Sequence, residues 1–418
     1  MSLLPIYIAS RFSRTSPGAR NRSGLTVGII GVALSLMVMI ISIGVMTGFK
    51  QQVRRKVIGF ESAITLAPGQ SAGPAALRDN LFDTAFVNLI TPLLPDGATV
   101  DMTIRQPAIL KTPETFAGGV IKGVDGSFDA AFINESLIEG AMPDYASDST
   151  LFHIVVSATL ARSLSAGMDD KIDAFFIGDG GYRVRRLKIK GIFDTHFDEL
   201  DKNYLIGSAE MLRQLSDLPE GTSTLLEINS LPSDVAIDTT AAALSALAAE
   251  RFYSRATQNL TQVINIHDSG ALYFNWLSLL DTNVAVILTL MGLLAALTLV
   301  SSLFILVLRR VRDIGILKAI GAKDALIRRV FVAMTLRVLL RGMVVGNLLG
   351  IGILWLQKTF NVVPLDPEAY YLDTVPVSID WSVIILLNAA TAIIAFLILQ
   401  LPSAIVSTIS PARTISYN

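Results

Sequence analysis

One stretch of this chain gathers groups able to move protons. Asp194, Asp198, Glu199 and Asp201 surround His196 near the end of a β-type run. Carboxylates beside an imidazole are the material of general acid–base catalysis. The same composition also describes a solvated loop, the commoner outcome when no nucleophile accompanies it. The other histidines, His153 and His267, lie far away in sequence. None of the three stands in an HExxH or other paired-ligand spacing, so no metal site is expected. Gly178-Asp179-Gly180-Gly181 is the richest glycine cluster. It lacks the helix and lysine that hold a phosphate, and it reads as a hairpin turn. No GxxxxGK[ST] run and no GxSxG elbow occur, so the chain has no P-loop of its own and no such nucleophile. The absence of cysteine excludes disulfides, thiolate metal sites and thiol nucleophiles. No catalytic residue is assigned.

The elements around these groups are of two kinds. The 418 residues are 52% hydrophobic and 17% charged, and the apolar residues come in blocks long enough to span a bilayer. Residues 1–24 carry Arg11, Arg14, Arg20 and Arg22 without an acid, and 25–47 follows without a charge. A signal peptide would have a shorter apolar core and a small-x-small site after it. The run ends instead in Val45-Met46-Thr47-Gly48-Phe49, so an uncleaved anchor with a cytoplasmic N-terminus is expected. Further spans are expected over 282–308, 330–356 and 382–401. A basic linker, 309–329, joins the second to the third. An acidic loop, 357–381, joins the third to the fourth, and 402–418 forms a tail. Basic flanks then fall on one side of the membrane and the acidic loop on the other, as the positive-inside rule requires. Arg337 and Arg341, one helical turn apart, interrupt the third apolar run; headgroup depth or a role toward a charged lipid or substrate both remain open.

Residues 48–281 form an extracytoplasmic α+β domain with helical stalks. Strands are predicted over 63–66, 99–110, 119–124, 153–156, 183–193 and 224–229, and helices over 157–164, 208–215 and 236–250. The first helix should continue through Lys50 to stop near Gly59, and 262–281 should be helical. A net charge of −1 gives no reason to expect a nucleic-acid partner.

In the linker, Arg309, Arg310, Arg312, Lys318, Lys323, Arg328 and Arg329 stand against Asp313 and Asp324. Ile314, Ile316, Leu317 and Ile320 fall at helical spacing and predict a short helix with one apolar face. Such a link could dock a cytoplasmic motor, or it could be a solvated connector.

Several stretches together resemble a known family. IIGVALSLMVMIISIGVMTGFKQQVRRKVIGF, RRVRDIGILKAIGAKDALIRRVF, FNVVPLDPEAYYLDTVPVSIDW and RRLKIKGIFDTHFDELDKNYLI are similar to segments of the lipoprotein-releasing (LolC/LolE-type) permeases of the ABC transporter class, within the FtsX/MacB superfamily. The resemblance implies four transmembrane helices in the bacterial inner membrane and a MacB-type periplasmic domain between the first two. It implies two copies of a cytoplasmic ATPase, which would bind ATP and Mg while this chain binds no cofactor. It also implies a second permease subunit, identical or a paralogue, a lipoprotein substrate and a periplasmic carrier. Docking of the ATPase maps to Asp313, Ile314, Gly315, Ile316, Leu317, Lys318, Gly321 and Ala322. The lipoprotein cavity maps to Val45, Met46 and Phe49. The carrier hook would fall near Asp173, Gly178 and Arg186, in a stretch that is short here and lacks the proline-containing insertion of the LolC branch. The alternative within the superfamily is a mechanotransmission permease acting on another periplasmic partner; PLDPEAYYLDTVPV argues for lipoprotein release.

Overall fold

The computed structural model describes residues 23–69, 81–178, 181–197, 201–255, 257, 260–366, 370 and 372–403. The long or functionally placed helices are α1 (Ser23–Glu61), α2 (Asp234–Tyr253), α3 (Ala271–Arg309), α4 (Val311–Ala319), α5 (Asp324–Phe360) and α6 (Trp381–Ser403). The strands are β1 (Ile64–Pro68), β2 (Thr99–Lys111), β3 (Phe116–Val124), β4 (Leu137–Gly140), β5 (His153–Ser157), β6 (Lys171–Gly178), β7 (Gly181–Phe193), β8 (Tyr204–Ser208), β9 (Leu225–Asn229) and β10 (Thr261–Asn265). The chain divides into two compact units. One takes the chain up to Lys50, Trp276–Pro364 and the chain from Thr374; the other takes Gln51–Asn275 and Leu365–Asp373.

Among the described residues four helices are long and apolar enough to cross a membrane, α1, α3, α5 and α6, and they make up the helical unit. The predicted spans 25–47, 282–308, 330–356 and 382–401 lie within them. In lipid, apolar side chains gain little by leaving their surroundings, so close backbone approach through small residues carries the packing. Gly342, Gly346 and Gly350 form such a stripe on α5. A Cβ on Gly346 would stand 2.8 Å from the Ala33 carbonyl oxygen, and one on Gly342 would stand 2.8 Å from Val32 Cβ. On α1, Gly28 and Gly31 receive Ser302 and Thr298 of α3 in the same way. Val32, Leu299, Leu303, Phe331, Val338 and Leu339 close over this seam as one buried cluster.

The α+β unit is built on ten strands in the order β10-β1-β9-β2-β3-β8-β5-β7-β4, with β6 paired to β2 and β7. One face is covered by the helices Ala158–Ser163 and Ala209–Leu215, and Leu110, Ile121, Ile154, Leu160, Ile189, Leu205 and Leu212 fill the space between. On the other face Phe60, at the end of α1, packs with Val124, Ile133, Val155, Phe193 and Ile206. As expected, α1 continues past Lys50 and ends close to Gly59, at Glu61. The helix predicted over 262–281 is corrected at its start: Thr261–Asn265 carries the β-branched residues Thr261, Val263 and Ile264 and pairs with β1, Ile64 opposite Asn265. A vacant sheet edge there outweighs local helical pattern.

Candidate functional site

The basic linker folds as predicted into a helix, α4, but its apolar residues do not share one face. At 100° per residue, Leu317 lies about 60° from Ile314 and Ile316 about 160° from it, while Ile320, at the C-cap of α4, falls between Leu317 and Ile316. Ile314 is 1% exposed and joins Val307, Ile327 and Phe331, with Leu317 packed against the same cluster. Ile316 and Ile320 are 51% and 76% exposed. The outward surface is therefore Arg312, Ile316, Ala319, Ile320 and Lys323, a spacing the sequence already carried. Gly321 closes α4. Its φ is +90°, its N–H donates to the Lys318 carbonyl at 3.0 Å, and the Ala322 N–H donates to the Leu317 carbonyl at 3.0 Å. This left-handed cap reverses the chain into α5. Arg310 pairs with Asp313 at 2.8 Å and Lys318 with Asp324 at 2.9 Å. Of the eight residues assigned to docking, Asp313, Ile314, Gly315, Leu317, Lys318 and Ala322 thus shape the link, while Ile316 and Gly321 are exposed on it.

The three residues assigned to a lipid cavity lie at the end of the apolar run of α1. Val45 and Met46 are half-buried. Phe49 is 9% exposed and meets the Trp276 ring edge-on at 5.6 Å. Lys50 pairs with Asp281 beside it at 2.7 Å. Gly44 and Gly48, one turn apart, went unassigned. The Ser378 N–H donates to the Gly44 carbonyl at 2.9 Å, and a Cβ on Gly48 would stand 2.7 Å from the Val377 backbone. The segment 376–378 thus lies directly on α1, and the four-residue glycine spacing was the signal.

Where α1 meets the sheet, a buried charge cluster holds its last turn. Glu227 of β9 is 0% exposed. It accepts from Ser62 Oγ at 2.7 Å and Thr103 Oγ1 at 3.0 Å, and it pairs with Arg105 at 2.9 Å and Lys122 at 2.6 Å. Arg105 also reaches Glu61 at 3.0 Å, and the Tyr204 hydroxyl donates to Glu61 at 2.8 Å. Burial pushes the Glu227 carboxyl up, but Lys122 and Arg105 outweigh it and hold it at about 2. Burial lowers the Arg105 guanidinium, and Glu227 and Glu61 more than reverse this. Asp101, nearby, is pushed up to about 6 by burial and by Glu227.

The acidic cluster around His196 is part of the scaffold. Asp198 and Glu199 lie outside the described residues. Asp201 is fully buried and accepts from Thr195 N–H at 3.2 Å and Thr195 Oγ1 at 2.8 Å; burial raises it to about 6. His196 adopts φ +55° between Asp194 at 3.6 Å and Asp373 at 3.3 Å. Among the described residues no group of three His, Cys, Asp or Glu is placed to hold a metal. The glycine cluster joins β6 to β7, Gly178 opposite Gly181; Asp179 and Gly180 lie outside the described residues. On this hairpin Arg186 pairs with Asp173 at 2.8 and 3.2 Å. Ile177 and Tyr182 at its tip, and Phe116 on β3, are more than 70% exposed.

Residues 24–247 match the family model of the MacB-like periplasmic core domain, and residues 285–411 that of the FtsX-like permease C-terminal region. The chain is 21% identical over 442 residues to the lipoprotein-releasing system transmembrane protein LolC of Xylella fastidiosa (strain 9a5c), covering 99% of each. It is 23% identical over 440 residues to the protein of that name from Neisseria meningitidis serogroup B, covering 100% of each. Among solved structures, the periplasmic region of MacB from Actinobacillus actinomycetemcomitans is 11% identical with a TM-score of 0.32, covering 52% of this chain and 94% of that one.

Proposed function

Because the chain belongs to the family with a MacB-like periplasmic core domain, here joined to an FtsX-like permease C-terminal region, we propose that it is the permease subunit of an ABC transporter that extracts lipoproteins from the bacterial inner membrane. The end-to-end match to lipoprotein-releasing proteins carries this reading. In it, α1, α3, α5 and α6 span the membrane with both chain ends in the cytoplasm, and the α+β unit lies in the periplasm between the first two spans. The positive charge of the linker supports that orientation.

The outward face of α4, with Ile316 and Ile320 exposed among Arg312 and Lys323, docks one of two ATPase subunits, which bind ATP and Mg. The capped turn at Gly321 joins α4 to α5 without slack, so a push on α4 is passed to α3 and α5. The last turn of α1 passes movement to the sheet through Glu61, Arg105 and Glu227. A second permease copy, identical or a paralogue, completes the cavity for the acyl chains beside Val45 and Met46. The exposed hairpin tip at Ile177 and Tyr182, braced by Asp173 and Arg186, receives the periplasmic carrier. The test is co-purification in mild detergent. A cytoplasmic ATPase that elutes with the wild-type chain supports the reading, and its absence would reduce α4 to a connector.

A further inference from the structure

Beyond Lys50, α1 presents Gln51, Arg54, Arg55, Ile58 and Gly59 on one side, at the three- and four-residue spacing of a helix face. That side walls a cavity of about 420 Å³ within the α+β unit, a size usual for ligand sites. Ala63, Lys122 and Ile237 line it and are buried, and they mark its closed end. Gln51, Arg55, Asp129, Ala131 and Ser230 line it and are exposed, and they mark its mouth. The walls are preformed. Phe132 can close against α1 because position 59 is glycine: a Cβ there would stand 2.6 Å from the Phe132 ring. The same ring meets Phe60 edge-on at 5.5 Å. Phe128 holds its ring 5.2 Å from Lys122 Nζ. With Ile58 and Leu231 these rings give the cavity an apolar lining.

The charge on these walls is unequal. Among the described residues, Arg54, Arg55 and Lys122 line the cavity against a single acid, Asp129. Lys122 is paired with Glu227 at 2.6 Å. The acids that pair with the arginines, Asp234 at 2.7 Å and Glu135, lie outside the lining, and each meets one terminal nitrogen of its guanidinium. Arg54 Nε is buried without a hydrogen-bond partner, a costly state for a donor in a protein interior. A carboxylate is the group whose two oxygens match a guanidinium edge. The rest of the rim selects what carries that carboxylate. Gln51, Asn229 and Ser230 offer amide and hydroxyl groups. An alkyl chain would strip these of water and return nothing, whereas a peptide backbone brings both donors and acceptors. Asp129 at the mouth repels a phosphate-dense lipid surface.

We propose that this cavity is a peptide-binding site for an extended segment that carries an aspartate or glutamate beside a bulky apolar residue. The carboxylate is held by the guanidinium of Arg54, with Arg55 at the mouth, and the apolar side chain lies among Ile58, Phe132 and Leu231. The site is built entirely from the α+β unit, so it depends neither on the membrane orientation nor on the cargo proposed above.

The test places the full chain in phosphatidylcholine nanodiscs. Fluorescence anisotropy then measures binding of a dye-labelled, end-blocked Gly-Leu-Glu-Phe-Gly peptide and of its counterpart with glutamine in place of glutamate. The wild type is expected to bind the glutamate peptide about ten-fold more tightly. Arg54→Gln should bring that ratio close to one. Ala131→Trp fills the mouth without altering a charge, and it should weaken both peptides by about ten-fold with the thermal midpoint unchanged. Equal affinity of the wild type for the two peptides, or binding of neither, overturns the proposal. Glutamate-peptide binding that survives Ala131→Trp also overturns it, because the peptide then sits elsewhere; this variant decides the matter if Arg54→Gln fails to fold. Displacement of the peptide by phosphatidylglycerol added to the discs overturns it as well, and gives the cavity to a lipid headgroup.

Discussion

The carboxamides of Asn347 on α5 and Asn388 on α6 hydrogen-bond each other in both directions. Asn347 Nδ2 donates to Asn388 Oδ1 at 2.7 Å, and Asn388 Nδ2 donates to Asn347 Oδ1 at 2.9 Å. Each amide also donates to a carbonyl one turn earlier in its own helix, Met343 and Ile384, at 2.8 Å. Inside a bilayer these groups have no water to turn to, so the pair fastens α6 to α5. Asn388→Leu is expected to cost about 1 kcal/mol. The double variant with Asn347→Leu should cost less than the sum of the two single changes, because each single change strands a partner. Unfolding equilibria in detergent micelles measure both.

The glycine stripe gives a sharper contrast within one helix. Gly346→Ala places a methyl 2.8 Å from the Ala33 carbonyl oxygen, whereas Gly352 has nothing within 4 Å of its Cβ position. Gly346→Ala should destabilise the helical unit by about 1–3 kcal/mol. Gly352→Ala should leave it unchanged or slightly firmer. Equal losses at the two positions would contradict the α1–α5 seam.

The buried charge cluster predicts both a mutational and a pH response. Glu227→Gln removes the counter-charge of Arg105 and Lys122 and should cost about 3–5 kcal/mol. Glu227 is held at about 2 when folded; its contribution is present above the ordinary carboxylate value and is lost as pH falls toward 2. Asp101 and Asp201, both raised to about 6, act with the opposite sign. Between pH 4 and 6 the folded state holds more protons at these groups than the unfolded state, so stability falls as pH rises through that window. Asp101→Asn should flatten the decline in thermal midpoint between pH 4 and 7. A midpoint that rises across that range in the wild type would contradict the assignment.

The split of α4 into two faces separates docking from folding. Ile316→Asp and Ile320→Asp alter exposed positions and should abolish ATPase co-elution with little change in thermal midpoint. Ile314→Ala removes a fully buried side chain and should cost about 2–5 kcal/mol, loosening the link itself. Loss of co-elution in Ile314→Ala, with full retention in Ile316→Asp and Ile320→Asp, would place the docking surface elsewhere.

Much of this was legible in the sequence because the bilayer demands long uncharged runs, and α1, α3, α5 and α6 carry them. The strands expected over 99–110 and 183–193 were visible through their β-branched residues, Thr99, Val100, Thr103, Ile104 and Ile109 in the first and Val184, Ile189 and Ile192 in the second. Other features depend on partners remote in sequence. Glu227 reads as an ordinary strand carboxylate until β2 and β3 bring Arg105 and Lys122 onto it. The strand Thr261–Asn265 reads as helix until β1 offers its edge. Gly44 and Gly48 read as spacers until the segment 376–378 lies against them. In α4 the apolar residues were counted correctly, but the wheel angle between Ile314 and Ile316 decides which of them face solvent.

The central claim is tested most directly by release. The chain and its co-purifying ATPase would be reconstituted in liposomes with a triacylated lipoprotein, and ATP and a soluble periplasmic carrier added. The account predicts ATP-dependent transfer of the lipoprotein to the carrier, lost in Ile316→Asp. ATP hydrolysis by an intact complex with the lipoprotein still in the membrane would contradict lipoprotein release and favour a mechanotransmission permease acting on another partner.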